Sequence, residues 1–371
     1  MWAVLMIVLL VLTCAGIWYL ANRIRKFSFY RKLMEKRPRA GRLISLLIVL
    51  AVTAILWLVW GSMNAIVCIL HLIVFWMISD GIFALIRKYG KKTFLRYYAG
   101  LAALAFTVVY LGSGWYLAHH VWETDYQITT DKQVGTLRVA VLSDSHTGTT
   151  FHGEGFAKHM KEIEEKKPDL VLVVGDFVDD DTTKEDMIRC CQALGETKTT
   201  YGIYYVFGNH DKGYYGPDYR GYSGDDLIRE LEKNQVHVMQ DDVELVDDRF
   251  YIIGRQDKSE EYAAGRATMQ ELVSGLDTDK FSIVLDHQPA DYAAQEEAGV
   301  DLVLSGHTHG GQLFPLMTLE NLFGFTPDDK VYGHEKRGNT DFIVTSGISD
   351  WAIKFKTDCK SEYLLLEIAG K

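Results

Sequence analysis

Residues 301–312 read Asp-Leu-Val-Leu-Ser-Gly-His-Thr-His-Gly-Gly-Gln. The apolar residues at the start of this stretch predict a buried strand that opens into a turn at Ser305-Gly306. His307 and His309 lie two positions apart, so in extended backbone both imidazoles point to the same side. The neighbouring glycines allow the backbone to approach an ion or an anion closely. Taken alone, this spacing is compatible with a metal site but more often marks a solvated turn.

The same arrangement recurs along the second half of the chain. From Thr136 onwards, short β-branched runs alternate with charged stretches of helical period such as Phe156–Lys167, which predicts an α/β or layered α+β domain. Sites in such sheets gather at the carboxyl ends of strands, because loops from several strands converge there. Five predicted strands deliver Asp, Asn or His at that end: Leu137–Ser143 before Asp144-Ser145-His146, Asp169–Val174 before Gly175-Asp176, Gly202–Phe207 before Gly208-Asn209-His210-Asp211, Phe281–Leu285 before Asp286-His287, and Asp301–Leu304 before Gly306-His307-Thr308-His309.

Any one of these polar residues has an ordinary structural explanation, because Asp caps helices, Asn tolerates turns and a single His is usually a surface or core group. Five such coincidences at five strand ends are a poor joint explanation, so the set predicts a metal site. Oxygen and imidazole ligands without a thiolate favour two divalent metal ions (Mn, Fe or Zn) over a structural cysteine-zinc site. Calcium, which prefers mostly oxygen ligands, is disfavoured.

Charge is divided unevenly along the chain. Residues 1–122 contain 14 Lys and Arg and two acidic residues, whereas residues 123–371 contain 25 Lys and Arg and 47 acidic residues. The net charges of the two parts are therefore near +12 and −22. A part as acidic as the second would repel a polyphosphate backbone, so nucleic acid is not expected as a partner.

The first part is apolar enough to lie in a membrane. A helix needs about 20 residues to cross a bilayer, and four stretches approach or exceed that length: Trp2–Leu20, Leu43–Trp60, Ala65–Ile86 and Leu95–Ala118. We therefore predict a region of four transmembrane helices in residues 1–122, followed by a separate domain in residues 123–371. The first stretch has neither a preceding basic residue nor a small-residue cleavage site, so we expect an uncleaved anchor rather than a signal peptide.

The positions of Lys and Arg in the short loops predict the orientation of these helices. The loop Asn22–Arg42 holds nine of them and the loop after the third stretch holds Arg87, Lys88, Lys91 and Lys92, whereas Gly61–Asn64 holds none. Both basic loops are expected in the cytoplasm, which places residues 123–371 outside it. His71 and Asp80 lie within the third stretch, where we expect packing, with Asp80 near Arg87, rather than a transport role.

The ordered motifs at the five strand ends, with His307-Thr308-His309-Gly310-Gly311-Gln312 as the last, resemble those of the calcineurin-like metallophosphoesterase superfamily. The resemblance is closest to its membrane-tethered bacterial branch and covers residues from about 136 to 371. It implies an α+β fold in which a two-sheet β-sandwich is flanked by helices, with a two-metal site at one edge.

The resemblance also implies roles for individual residues. Asp176 would bridge two ions that share an attacking hydroxide. His210 would protonate the leaving group, and Asp211 is a candidate to orient it. The remaining expected ligands are Asp144, His146 and His309 for one ion, and Asn209, His287 and His307 for the other.

Two segments lie beyond the shared motifs. The segment Gly213–Tyr222 follows His210 directly, and its Tyr214, Tyr215 and Arg220 are candidates to contact the organic part of a substrate. A flexible covering loop is the equal alternative for this segment. The segment Leu313–Tyr332 is unusually apolar, and we expect it either to lie on the membrane surface beside the site or to pack as a lid on its own domain.

Together these features predict a multi-pass cell-membrane protein whose extracytoplasmic domain is a binuclear, metal-dependent phosphoesterase. Its expected partners are the membrane and a phosphorylated small molecule or lipid, cleaved at a phosphoester or pyrophosphate bond. One alternative is a phosphoesterase-fold scaffold without turnover, which the complete ligand set disfavours. Another is a membrane sensor with an appended hydrolase, which the scarcity of charge in the apolar stretches disfavours.

Overall fold

A computed structural model of the chain describes residues 2–91, 93–261, 265–324 and 326–371. The chain divides into two units, with the boundary between Gly114 and Trp115. Two residues that entered the sequence interpretation, Lys92 and Phe325, lie outside the described residues.

The first unit is helical. Its helices are α1 (Trp2–Ile24), α2 (Ser28–Met34), α3 (Pro38–Gly90) and α4 (Tyr98–His119), the last of which extends into the second unit. Among the described residues, three helices are long and apolar enough to cross a membrane: α1, α3 and α4. The predicted count of four is therefore not confirmed, because the second and third predicted stretches both fall within α3.

Helix α3 is interrupted near its middle. It contains 53 residues, about 80 Å at 1.5 Å per residue, whereas the hydrocarbon core of a bilayer is about 30 Å thick. At Gly61 the backbone leaves the helical region, with φ 82° and ψ 171°. Glycine adopts such a positive φ without the steric penalty of other residues. The break separates two apolar arms that correspond to the two predicted stretches.

Asp80 is paired inside the helical unit. Its carboxylate lies 2.9 Å from Nε of Arg23 and accepts a hydrogen bond of 2.6 Å from the hydroxyl of Tyr97. Nδ1 of His71 lies 2.8 Å from the carbonyl oxygen of Val67 one turn earlier. Both polar residues thus have partners inside the protein, although the cations that pair with Asp80 are Arg23 and, at 3.7 Å, Lys26 rather than the expected Arg87.

The second unit is built from two sheets and the helices that cover them. Its strands are β1 (Val121–Thr129), β2 (Thr136–Leu142), β3 (Leu170–Val174), β4 (Ile203–Val206), β5 (Val236–Met239), β6 (Asp242–Val246), β7 (Phe250–Gly254), β8 (Phe281–Leu285), β9 (Leu302–Ser305), β10 (Gly333–Arg337), β11 (Thr340–Val344) and β12 (Ser361–Ala369). Its further helices are α5 (Gly153–Glu165), α6 (Lys184–Glu196), α7 (Pro217–Arg220), α8 (Gly224–Lys233), α9 (Met269–Val273), α10 (Tyr292–Glu297) and α11 (Leu316–Phe323).

Both sheets have six strands and mixed pairing. One has the order β1-β12-β2-β3-β4-β5, in which β12 runs antiparallel to β2 and all other neighbours are parallel. The other has the order β10-β11-β9-β8-β7-β6. Its four central strands β11, β9, β8 and β7 run parallel to one another, and the edge strands β10 and β6 run antiparallel to their neighbours. The parallel central strands bring the motif-bearing loops to one edge of each sheet.

The two sheets pack face to face. Side chains alternate between the faces of a strand, and in β3 Leu172 points into the core between the sheets whereas Val173 points to the helices outside. The inner core includes Val141, Leu285 and Leu304. Helices α5, α6 and α8 cover one sheet, and α9 and α10 cover the other. The predicted sandwich flanked by helices is thus confirmed for this unit.

Candidate metal centre

Backbone strain is concentrated at the predicted ligands. Five of them have positive φ: Asp144 (53°), His146 (34°), Asp176 (50°), His307 (71°) and His309 (50°). For residues other than glycine this left-handed region is uncommon, and it persists where surrounding contacts enforce it and where function uses it. The main-chain amide of Asp144, for example, is tied to the carbonyl oxygen of Gly175 at 3.0 Å. The strand ends therefore curl so that their side chains converge.

One cluster contains Asp144, His146 and His309. One potential ligand atom of each residue lies within 4.8 Å of those of the others, and all three residues are buried. Nε2 of His309 lies 3.6 Å from Oδ1 of Asp144. Gly306 permits this approach, because a side chain there would collide with Asp144 and Ser143. The glycine predicted to give the backbone room does so here.

A second cluster contains Asp176, His287 and His307, again with ligand atoms within 4.8 Å of one another. Nε2 of His287 lies 3.1 Å from Oδ2 of Asp176. The loop of Asn209 is tied to this cluster, because the main-chain amide of the following residue, His210, donates to Oδ1 of Asp176 at 2.8 Å. The side-chain amide of Asn209 donates to the hydroxyl of Tyr214 at 2.8 Å, which leaves its carbonyl oxygen available.

Asp176 lies between the two clusters. The same atom that approaches His287, Oδ2, is 3.6 Å from Nε2 of His146 in the other cluster. A single carboxylate oxygen thus neighbours one imidazole from each group.

The chemistry of the site fits divalent cations. Among the described residues, several buried ligand atoms have no hydrogen bond of acceptable geometry: Nε2 of His146, Oδ2 of Asp176, Oδ1 of Asn209, Nε2 of His287 and Nδ1 of His307. Buried polar atoms without a partner are costly and rare in folded proteins. Four of the five lie in the two clusters, and all are imidazole nitrogens or oxygens that two divalent metal ions would satisfy.

The charges of the site are strongly coupled. Burial alone would lower the pKa of His146, but the hydrogen bond to Asp179 and the charges of Asp176, Asp179 and Asp144 raise that pKa to about 9. Burial also lowers the pKa of His287, but the charge of Asp176 and the hydrogen bond to it raise that pKa well above its usual value. In turn, burial opposes ionisation of Asp176, but His287 and His146 hold the pKa of this carboxyl well below its usual value. The carboxylates of the site thus favour positive charge on the groups that face Asp176.

Two of the imidazoles that offer Nε2 have an acceptor at Nδ1: a carboxylate of Asp179 at 3.2 Å for His146, and the carbonyl oxygen of Val174 at 2.8 Å for His287. A carboxylate oxygen of Asp350 lies 3.8 Å from Nδ1 of His309, beyond hydrogen-bond distance. Such acceptors fix the tautomer and the ring orientation of metal-binding histidines. The sequence interpretation missed both carboxylates.

Asp350 and its neighbour Lys356 form a buried pair that the sequence interpretation also missed. Nζ of Lys356 lies 3.4 Å from Oδ1 of Asp350 and donates to the carbonyl oxygens of Ser346 and Ser349 at 2.6 and 3.0 Å. The loop that holds Asp350 follows β11, which is parallel to β9. The sequence carried a signal for Asp350, because it is an acidic residue that follows the carboxyl end of a parallel strand. It lies six residues after the end of β11 at Val344, further than the other polar residues lie from their strands.

His210 lies at the rim of the first cluster. Its ring centroid is 5.1 Å from those of His146 and Tyr214 and 5.2 Å from that of Trp351. Burial, as the largest cause, lowers its pKa. His210 is thus close to the ligands without belonging to either set of converging atoms.

Asp211 does not orient the His210 side chain as suggested from the sequence. Its buried carboxylate accepts hydrogen bonds from the main-chain amides of Asp176, Val178 and Gly208, at 2.9, 3.0 and 2.6 Å. These bonds tie the loop after β4 to the loop after β3. Asp211 therefore positions two ligand-bearing backbones relative to each other.

The segment after His210 separates into two parts. The ring of Tyr214 faces His210, and the side chains of Tyr214 and Tyr215 are mostly exposed. Arg220, in contrast, is buried and donates to the carbonyl oxygens of Asp211 and Tyr222 at 2.7 and 3.1 Å. We assign Arg220 to the support of this segment, because its guanidinium is engaged by the protein.

The comparison with known proteins agrees with this architecture. Residues 137–311 match the family model of the calcineurin-like phosphoesterases. An uncharacterized metallophosphoesterase of Helicobacter pylori is 31% identical over 77% of this chain and 73% of its own length.

Two further relatives match over a smaller share of their length. An uncharacterized metallophosphoesterase of Campylobacter jejuni is 32% identical over 63% of this chain and 60% of its own. A zebrafish (Danio rerio) transmembrane protein with metallophosphoesterase domain is 30% identical over 64% of this chain and 55% of its own. The matched part is thus little more than half the length of these two proteins. The predicted family is confirmed, and the chain belongs to the calcineurin-like phosphoesterases.

Proposed function

We propose that this protein is a membrane-anchored phosphoesterase that hydrolyses a phosphoester or pyrophosphate bond with the help of two divalent metal ions. One observation carries the proposal: among the described residues, five buried imidazole and oxygen atoms without hydrogen-bond partners belong to predicted ligands, and four of them lie in the two clusters. Divalent ions held there supply an activated water and neutralise the charge of the phosphoryl oxygens. Mn, Fe and Zn are the candidates, because the ligands are imidazole and oxygen.

The proposed ligand sets follow the two clusters. Asp144, His146 and His309 would hold one ion, and Asn209, His287 and His307 would hold the other. Asp176 contributes to both, which is supported by the position of its Oδ2 near one imidazole of each set. Asp179 holds the imidazole of His146 in place from behind, and the carboxylate of Asp350 lies 3.8 Å behind that of His309.

His210 is the proposed general acid. It contributes no atom to the converging ligand set, and its ring lies beside that of His146. An imidazole at this place can donate a proton to the departing oxygen of the substrate. Tyr214, whose ring faces His210, and its exposed neighbour Tyr215 are the proposed contacts for the organic part of the substrate.

We further propose the placement of the chain in the cell membrane. Four spans, two of them formed by the arms of α3 on either side of Gly61, put residues 123–371 outside the cytoplasm. The support is the distribution of Lys and Arg, which is dense in Asn22–Arg42 and absent from Gly61–Asn64. The substrate is then a phosphorylated small molecule or a lipid on the outer side.

The test uses the full-length protein in lipid nanodiscs, stripped with a chelator and reloaded with Mn, Zn or Fe. Phosphate release would be measured on a panel of phospholipids, nucleotides, sugar phosphates and pyrophosphates. We expect activity that returns with metal and is lost in Asp176→Asn, whereas Asp131→Asn, at an exposed carboxylate, retains it. Two bound ions without turnover of any substrate would overturn the proposal in favour of a scaffold.

A further inference from the structure

Helix α11 exposes a patch of large apolar side chains. Leu316 is 52% exposed, Leu322 69% and Phe323 60%, and Phe314 just before the helix is 56% exposed. None of the eight residues of α11, all of them described, is buried. Soluble proteins rarely expose such contiguous apolar surface unless it binds something. The alternative expected from the sequence, a lid packed on its own domain, leaves this surface unexplained.

The charge within α11 is already engaged. Glu320 is the one acidic residue of the helix, and its Oε1 accepts hydrogen bonds from the amide and the hydroxyl of Thr326, at 2.6 and 2.7 Å. The helix contains no basic residue. The exposed side of the patch is thus suited to an apolar environment.

The patch is attached to the metal centre. Phe314 lies five residues after His309, and a side chain at Gly311 would come within 2.6 Å of the main-chain nitrogen of Met317. The main chain of this segment is also fixed to a second loop, because Phe314 and Met317 donate to Thr357 and Asp358, at 3.0 and 2.9 Å. The apolar patch therefore has a fixed position at the rim of the site.

The same second loop reaches the end of an apolar helix. The hydroxyl of Ser361 donates to the carbonyl oxygen of Ala118, in the last turn of α4, at 2.8 Å. Asp358 and Ser361 are three residues apart, which spans at most about 11 Å. Trp115 and Tyr116, in the same last turns of α4, are exposed. Exposed Trp and Tyr at the end of a spanning helix are typical of the level of the lipid head groups.

From these contacts we infer that α11, together with Phe314, docks on the lipid bilayer beside the end of α4 and holds the metal centre at the membrane surface. The inference rests on the membrane anchoring in the proposed function and deepens it. A bilayer is favoured as occupant because the patch is continuous, through residues 357–361, with the interfacial end of a proposed span. The substrate class that fits is an amphiphilic phosphoester whose polar group lies at the lipid interface.

The experiment measures the depth of single positions in the membrane, not activity. A genetically encoded, environment-sensitive fluorophore replaces Leu322 in the full-length protein, in nanodiscs of phosphatidylethanolamine and phosphatidylglycerol that carry nitroxide on the acyl chains. Val108, exposed in α4, is the control inside the bilayer, and Leu245, exposed on β6, is the matched apolar control outside it. We expect quenching at Leu322 and Val108, and none at Leu245.

The outcomes separate the inference from its basis. Quenching at Val108 but not at Leu322 would overturn the docking and leave the anchoring intact, and this is the result expected if α11 binds a protein instead. Absence of quenching at Val108 would overturn the anchoring and the docking together. With the fluorophore at Leu316, Leu322→Asp should at least halve the quenching and Leu245→Asp should not. Equal quenching in both variants would contradict a role for the apolar surface.

Discussion

The main-chain amide of His210 donates a hydrogen bond of 2.8 Å to Oδ1 of Asp176. This bond occupies one oxygen of the carboxylate and leaves Oδ2, the atom near His146 and His287, to face the clusters. The loop that carries the proposed general acid therefore also orients the proposed bridging ligand. His210→Ala should leave this bond in place, because His210 contributes only its main-chain amide to it. Asp176→Asn, in contrast, changes the carboxylate itself.

Asp176→Asn should lose more metal than Asn209→Ala, because Asp176 neighbours both clusters and Asn209 only one. We expect two ions per chain in the wild-type protein, fewer than one in Asp176→Asn and about one in Asn209→Ala, by elemental analysis after gel filtration. An Asp176→Asn protein that retains two ions would refute the bridging role.

His210→Ala should retain both ions and lose rate selectively. A general acid contributes on the order of 10²–10⁴ in rate when the leaving group is basic. Hydrolysis of an alkyl phosphoester should therefore fall much further than hydrolysis of an activated aryl ester, whose phenolate leaves without a proton. Equal losses on both esters would indicate electrostatic stabilisation instead, and loss of an ion would make His210 a ligand.

Asp350→Asn should weaken the ion held by His309, because the carboxylate lies behind that imidazole. Removal of such a supporting acceptor typically costs 10–100-fold in metal affinity. Competition with a chelator should show one weakened site and one unchanged site. Asp358→Asn, on the same loop but bonded to Met317, is the matched control. A similar loss in both variants would assign the effect to the loop rather than to His309.

Metal binding should release protons near neutral pH. Without metal, the folded-state pKa of His146 is about 9, above its unfolded value, so its charged form stabilises the fold at low pH and this contribution is lost as pH rises through 9. A cation needs the neutral imidazole and must displace this proton. Calorimetry in buffers of different ionisation enthalpy should find proton release at pH 7.5 that declines by pH 9.5. Absence of release at pH 7.5 would contradict the coupling.

The orientation of the second unit can be tested by labelling in whole cells. Lys184 is exposed at the start of α6, whereas its neighbour Thr182 is buried, so Lys184→Cys in a chain without native cysteines is the suitable position. A membrane-impermeant thiol reagent should label it in intact cells. Labelling only after lysis would place residues 123–371 in the cytoplasm.

The strands could be read from the sequence because their signals are local. The predicted runs Phe281–Leu285 and Leu137–Ser143 agree with β8 and β2 to within a residue at each end. The residues after them could be read as a site because parallel strands deliver their carboxyl ends to one edge. The structure brings six of the predicted ligands into two clusters, and the loop of Asn209 is tied to one of them through the main-chain amide of His210.

What could not be read depends on contacts distant in sequence. In the sequence, Arg220 looks like an exposed cation in a tyrosine-rich segment. Only the fold shows that its guanidinium is buried and donates to main-chain carbonyl oxygens. Asp350, whose carboxylate approaches Nδ1 of His309 to 3.8 Å, lies 41 residues further along the chain.

Strand β1 follows α4 directly, and its neighbour in the sheet is β12, with Val121 opposite Ser361. The two partners are thus separated by 240 residues. At a synthesis rate of about 5–20 residues per second, β1 waits roughly 10–50 s before β12 has been made. During synthesis, the strand that follows α4 therefore stays without its neighbour while the rest of the unit forms, and a ribosome that stalls before residue 361 leaves a chain in which β1 is available to pair with another molecule.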